Sequence, residues 1–412
     1  MRPASWSCFA LMCSALALLP ATAGAADTGV TVTTADMDGS GSTDIVALDA
    51  ADHQVDLVWV SRDGGFSLLA QDFSDIGDMS ALAVADVNGD GKPDVIISDG
   101  SGTASGVRVL LNRGDGTLAP DVAYANDSAA GAGPVSVTVA DVNGDGLPDI
   151  ITANGSNGTV SVLINDGDGT FAAPITYPAG SDPVAVAVAD LNGDGHPDLM
   201  VADLAGDSVQ ILLNAGDGTF AAPLPQAVGS QPVALTVADV DGDGHLDILA
   251  VDQGDDSVAV LLGHGDGSFS TAAFYATGGN PGWITAQDLN GDGRLDIVTD
   301  NYSDGSVSLF ANTGSGFSAQ QQLFPAYGSY GTVVMSIGGT TQVVSPNVQA
   351  GQVQVTSAAA AVEDGSAAKG TVSHIAGDQD PQSSGGKGAL DLLSLFLLGL
   401  AGLARRGACR SP

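Results

Sequence analysis

A nine-residue motif with Asp at its first and last positions occurs six times, and its spacing constrains the fold more than any bulk property does. The copies begin at Asp36, Asp86, Asp141, Asp190, Asp239 and Asp288, so successive copies lie 50, 55, 49, 49 and 49 residues apart. A fixed period of this size signals a solenoid, a propeller or an array. Every unit repeats one order of segments. An alternating run such as "PVAVAVAD" leads into the Asp loop, and a second apolar run, "PDLMVAD", follows it. A variable polar loop, a third run "SVQILLN", the turn "AGDGTF" and an extended piece "AAPLPQAV" complete the unit. Alternation punctuated by Gly and Asp turns predicts four short strands per unit and no helix before the C-terminal tail. Four-stranded antiparallel units repeated along a chain are the blades of a β-propeller.

The expected fold is therefore all-β, a seven-bladed β-propeller with six blades as the alternative. Six units carry the Asp loop. A seventh is read from "GTVVMSIGGTTQVVSPNVQAGQVQVTS", which aligns with an ordinary unit but has Gly338, Gly339 and Thr340 where the acids should be. The body opens at once on a first strand, "GVTVTTAD", so no spare N-terminal strand offers itself to complete the last blade.

The loop chemistry points to Ca²⁺, which takes six to eight oxygens from carboxylates and backbone carbonyls. In "DVNGDGKPD" the side chains at positions 1, 3, 5 and 9 are Asp86, Asn88, Asp90 and Asp94. Position 7 would offer only its carbonyl, which explains its free variation among Lys92, Leu147, His196, His245 and Arg294. The corresponding sets are Asp141, Asn143, Asp145 and Asp149, then Asp190, Asn192, Asp194 and Asp198. Asp239, Asp241, Asp243 and Asp247 follow, then Asp288, Asn290, Asp292 and Asp296. The first loop has Asp36, Asp38 and Asp44 but Ser40 at its centre, and is expected to be the weakest site. Six loops in register imply about six calcium ions. An EF-hand is excluded, because that motif needs flanking helices and a Glu at position 12, where the second loop has Ile97 inside a β-type run.

With these residues in view, the VAD-x-NGDG-x-PD core and the "N-x-GDGTFAAP" turn resemble the FG-GAP/VCBS repeat of integrin-α-type propellers. The resemblance covers residues 28 to 326 and fades in the seventh unit. It implies calcium in the loops joining the first two strands of each blade, on one face, with ligand contacts coming from the opposite face.

Charge narrows the partners. Asp and Glu number 48 against 11 Lys and Arg, a net charge of −37. Such a field repels nucleic acid and anionic membranes and attracts cations. The three cysteines, Cys8, Cys13 and Cys409, all lie in the end segments, so the body has no disulfide and metal is the expected staple. Residues 1–26 read as a signal peptide: Arg2, an apolar run from Phe9 to Leu19, then the small residues "ATAGAA". The propeller is assigned to residues 27–376, a linker to 377–388 and a hydrophobic sorting or anchor segment to 389–412. In that tail, "SSGGKG" leads through a Leu-rich stretch to Arg405 and Arg406, which resembles the GlyGly-CTERM sorting signal. The resemblance implies a tail transiently in the membrane, removed by a rhombosortase-like protease, and export to the surface or exterior of a Gram-negative cell.

The irregular loops between second and third strands, and between blades, are where a protein or glycan partner would bind. Trp283, Asn301, Tyr302, Asp304, Tyr327 and Tyr330 gather in such segments of the sixth unit and its junction with the seventh, the aromatics suited to stacking on a sugar or peptide. No catalytic set is evident. His53, His196, His245, His264 and His374 have neither a paired nucleophile nor metal spacing, so the chain is read as a monomeric, non-enzymatic adhesion or recognition module, with a glycan-binding propeller or a non-catalytic structural subunit of an envelope assembly as the alternatives.

Overall fold

A computed structural model describes residues 30–41, 44–49, 54–60, 66–72, 79–100, 105–126, 133–323, 333–337, 340–347 and 352–357. The signal peptide, the linker, the C-terminal tail, Tyr327 and Tyr330 lie outside the described residues.

Among the described residues there are six four-stranded antiparallel sheets, each running in simple chain order. Blade one comprises β1 (Val30–Ala35), β2 (Asp44–Asp49), β3 (Gln54–Val60) and β4 (Phe66–Asp72). Blade two comprises β5 (Met79–Ala85), β6 (Asp94–Asp99), β7 (Gly106–Leu110) and β8 (Val122–Ala125). Blade three comprises β9 (Ser136–Ala140), β10 (Asp149–Asn154), β11 (Thr159–Leu163) and β12 (Ile175–Pro178). Blade four comprises β13 (Pro183–Ala189), β14 (Asp198–Asp203), β15 (Ser208–Leu212) and β16 (Leu224–Ala227). Blade five comprises β17 (Pro232–Ala238), β18 (Asp247–Asp252), β19 (Ser257–Leu261) and β20 (Ala273–Ala276). Blade six comprises β21 (Pro281–Gln287), β22 (Asp296–Asn301), β23 (Ser306–Phe310) and β24 (Gln321–Leu323). The chain divides into two compact units, one running to Thr176 and the other from Tyr177.

The expectation of seven blades is corrected to six. The last strands, β25 (Val333–Ile337), β26 (Thr340–Asn347) and β27 (Gln352–Ser357), form a sheet of three, not four. The apolar alternation of that stretch was enough to predict strands, but it lacks the Asp loop that organises the other six.

The blades are graded from core to solvent. Every residue of the second strands β6, β10, β14, β18 and β22 is buried, which is why those runs read as continuously apolar instead of alternating. The fourth strands β8, β12, β16 and β20 are mostly exposed. Neighbouring blades share their cores. One apolar cluster joins Ile96 and Val109 of blade two to Val137, Ile150 and Leu163 of blade three. Another joins Leu249, Val251 and Val258 of blade five to Ile284, Ile297 and Phe310 of blade six.

A polar clasp supplements this packing. The Asn that ends the third run, just before the Gly-Asp-Gly turn (Gly-Ser-Gly in blade six), is buried in blades two, three, four and six. Asn165 Nδ2 donates to the Pro148 carbonyl of its own Asp loop and to the Val87 carbonyl of the loop in blade two, both at 2.9 Å. Its Oδ1 accepts the Gly167 N–H at 2.8 Å. Asn112 reaches back to Met37 at 2.7 Å, and Asn312 to Val240 at 2.6 Å. Each of these residues thus joins a loop, a turn and the preceding blade. We expect Asn165→Ala to cost about 2–3 kcal/mol in denaturant unfolding, since it strands buried donors and acceptors as well as removing bonds. A loss below about 0.5 kcal/mol would remove the clasp from the account.

Candidate metal loops and their setting

Each Asp loop connects the first strand of a blade to its second, so position 9 is the opening residue of the second strand. That placement buries it: Asp44, Asp94, Asp149, Asp198, Asp247 and Asp296 are almost wholly inaccessible. Their carboxylates are held by backbone. Asp149 Oδ2 accepts the N–H of Val142 at 3.0 Å and Oδ1 that of Asn165 at 2.8 Å. The same pair of bonds recurs at Asp94, Asp198, Asp247 and Asp296.

Position 1 organises the turn itself. Asp141 Oδ1 accepts from Gly144 at 2.7 Å and from Asp145 at 3.1 Å, while Oδ2 accepts from Gly146 at 2.7 Å. Such nesting requires a left-handed backbone at Gly144 and Gly146, with φ of 76° and 87°, where a side chain would be strained. Position 3 accepts the N–H of position 5, as Asn143 does from Asp145 at 2.9 Å. Position 5 turns outward. Asp145 accepts from the Leu147 N–H and the Asn143 amide, Asp90 pairs with Lys92, and Asp292 pairs with Arg294.

The donor set fits a divalent cation. Asp36, Asp38 and Asp44 can each present an oxygen within 4.8 Å of the others, and so can Asp239, Asp241 and Asp247. These are the two loops with Asp rather than Asn at position 3, so positions 1, 3 and 9 converge. Asp36 Oδ1 is buried without a hydrogen-bond partner, which leaves a carboxylate oxygen available to an ion. Electrostatics agree. Burial pushes the position-9 carboxyls up, Asp94 to about 6, and neighbouring loop acids push in the same direction, at positions 5 and 1 or, for Asp247, at positions 3 and 1. A bound cation would relieve both effects.

The Gly-Asp-Gly turns do other work. Asp115, Asp168, Asp217 and Asp266 each fold back on the Thr or Ser two residues on, through its N–H and its hydroxyl. The position-7 residue lies over the turn of its own blade. A Cβ added to Gly216 would meet His196 Nε2 at 2.6 Å, and one added to Gly265 would meet His245 Nδ1 at 2.2 Å. The aromatic rings of the turns seal the blades. Tyr124 packs edge-on against Phe171 at 5.3 Å and Tyr177 against Phe220 at 5.5 Å, with Tyr275 on Phe317 at 5.4 Å.

The candidate partner face is less open than the sequence suggested. Trp283 lies within strand β21 and is only 5% exposed. Asn301 is buried and donates to the hydroxyls of Ser306 and Ser308. Asp304 accepts from Ser306, Gly279 and Gln322. Tyr302 is the exposed member among the described four. Sequence reasoning passed over the Asn clasp, although an Asn two residues before the turn at Asn112, Asn165, Asn214 and Asn312 was the available signal.

The sequence profile described as "FG-GAP-like repeat" matches residues 36–97, 86–152, 141–201, 190–250 and 239–299, each match running from one Asp loop into the next blade. The chain belongs to the FG-GAP-like repeat family. Among solved structures, this FG-GAP chain is similar to an Agrocybe aegerita lectin described as recognising non-reducing terminal N-acetylglucosamine, at 25% identity and a TM-score of 0.52, covering 72% of this chain and 80% of the lectin. It is also similar to BBS1N, solved in complex with ARL6DN, at 14% identity and a TM-score of 0.55, covering 83% and 96%. A Bacteroides uniformis protein described as a candidate 6-phosphogluconolactonase matches at 14% identity and a TM-score of 0.52, covering 79% and 91%. The last two show the propeller fold alone. No curated protein matches the chain by sequence.

Proposed function

We propose that this FG-GAP propeller is a calcium-stapled recognition or adhesion module, exported and displayed on or released from a Gram-negative cell. One observation carries the calcium assignment: positions 1, 3 and 9 of the Asp loop converge, with the buried Asp36 Oδ1 unpartnered. In this reading Asp36, Asp38 and Asp44, and their counterparts in the other five loops, hold the ion with the position-7 carbonyl and with the position-5 Asp (Asp90, Asp145, Asp194, Asp243 and Asp292) in the loops that have one. The ion supplies neutralising charge and rigidity, and no reaction is assigned to it. The chain's strong negative charge favours basic or neutral partners over nucleic acid.

Chelation tests the proposal. EDTA is expected to lower the melting temperature, and Ca²⁺ to restore it better than equimolar Mg²⁺. Each site adds about 2.7 kcal/mol at a hundredfold excess over its dissociation constant. A melting temperature indifferent to EDTA and to added Ca²⁺ would sink the stapling role.

A second reading, a glycan-binding propeller, is supported by the 25% identity with the N-acetylglucosamine-recognising lectin. A glycan array separates it from a protein adhesin.

A further inference from the structure

The repeat breaks three times at one place, between blades four and five. The outer strands β8, β12 and β20 carry Tyr124, Tyr177 and Tyr275 at their third position, each packed edge-on against the Phe of a Gly-Asp-Gly or Gly-Ser-Gly turn. In β16 the third position is Gln226. Its counterpart ring, Phe269, has no tyrosine in that place and is half-buried, as is Phe317 under Tyr275, while Phe171 and Phe220 under their tyrosines are 7% and 9% exposed.

The second break is Phe274. Strand pairing places it level with Ala123 in blade two and Pro225 in blade four, yet here the residue is a large aromatic, 56% exposed. The third is Gly263, which stands where the other turns have the clasping Asn and so sends no amide back to blade four. A cavity of about 330 Å³ results, lined by Gln226, Ala227, Leu261, Phe269, Thr271 and Phe274 among others. This is within the range of small-ligand pockets.

We infer that this slot binds the tyrosyl side chain of a basic polypeptide, in the position that other blades fill with their own tyrosine. The molecule itself shows how the ring is held. Tyr124 sets its edge against Phe171 and donates its hydroxyl to the Gly169 carbonyl at 3.2 Å. Phe269 and its turn offer the same ring and backbone, Phe274 adds a second aromatic wall, and the Gln226 amide adds a polar contact at the rim. Charge complementarity selects the flanks of the peptide. The net charge is −37, and exposed Asp266 stands in the turn that carries Phe269. Lysine or arginine beside the tyrosine would be drawn in, and acidic flanks repelled.

This inference rests on the recognition reading but not on the metal loops, so it is tested in saturating Ca²⁺ with the whole chain. The probes are p-cresol, acetyl-Lys-Tyr-Lys-amide and acetyl-Glu-Tyr-Glu-amide, titrated by NMR and calorimetry. Saturable one-to-one binding of p-cresol is expected. The Lys-flanked peptide should bind at least about fivefold more tightly than the Glu-flanked one at low salt, and the difference should shrink at high salt. Gln226→Tyr should fill the slot, raise the melting temperature and weaken every probe by about tenfold or more. Gln226→Ala, which leaves the slot open, should still bind. Equal binding by wild type and a folded Gln226→Tyr variant, or no saturable binding of p-cresol, overturns the inference. N-acetylglucosamine binding in place of the phenol, and lost in Gln226→Tyr, overturns it in favour of a glycan and leaves the recognition reading standing.

Discussion

Replacing Asp149 by alanine is expected to destabilise the chain by about 3–5 kcal/mol, in EDTA as well as in calcium. The reason is geometric. Asp149 is inaccessible, and its two oxygens accept the backbone N–H groups of Val142 and Asn165. Alanine would leave both donors buried without partners. Asparagine is expected to cost nearly as much, because its amide must point an NH₂ at one of the two donors. Asp145→Ala, five residues into the same loop, is the contrasting variant. Asp145 is exposed and accepts from Leu147 and Asn143 within the loop, so its removal should cost under about 0.5 kcal/mol in EDTA. In calcium it should cost more, because a ligand is lost. Urea unfolding of the two variants with and without calcium separates a scaffold carboxylate from a dedicated ligand. Equal losses for both in EDTA would contradict the division.

That division was not legible in the sequence, where positions 1, 3, 5 and 9 all read as one ligand set. The repeat spacing and its strand grammar revealed the blades, since period and alternation survive in a bare sequence. What they could not reveal is which carboxylate is buried by the strand it opens. Position 9 leads a strand buried on both faces, and its burial follows from packing between blades, as with Asp149, whose strand neighbour Ile150 joins the cluster with Val137 and Ile96. The candidate partner face shows the same limit. Trp283 and Tyr302 looked alike as aromatics in irregular segments, but Trp283 lies within strand β21 and is buried, whereas Tyr302 stands in the turn after β22 and is exposed. The slot at Gln226 was visible only as a substitution within the repeat. Its meaning depended on knowing that the tyrosine it replaces packs against a turn phenylalanine.

Asp252 provides the second large effect, with a sign opposite to the first. It ends β18, a position held by Asp49, Asp99, Asn154, Asp203 and Asn301 in the other five blades. Asp99 is met there by the Arg108 guanidinium at 2.8 Å, and Asp203 by the N–H groups of Ser181 and Asp182 at 2.8 and 2.9 Å. No hydrogen bond of ordinary geometry reaches either oxygen of Asp252; the Gly229 N–H and the Ser257 hydroxyl nearby offset its burial only in part, and the Ser230 N–H goes to Asp255. Burial, with Asp255 and Asp207 adding like charge, pushes the Asp252 carboxyl up to about 7. A carboxyl raised on folding binds its proton more tightly in the folded state, so stability is greatest below the unfolded value of ~3.9 and declines as pH rises toward 7. The full decline is on the order of 4 kcal/mol, since each tenfold gain in proton affinity on folding is worth about 1.4 kcal/mol. Asp252→Asn removes the titration while keeping the shape. The variant should therefore gain on the wild type steadily from pH 4 to pH 7, ending on the order of 3 kcal/mol more stable at pH 8 than the comparison at pH 4 would give. Urea unfolding of both proteins in saturating calcium, which holds the loop carboxylates ionised, isolates this one group. A stability difference that stays flat from pH 4 to pH 8 would mean that Asp252 titrates as an ordinary carboxylate, solvated by an opening of the β18–β19 end.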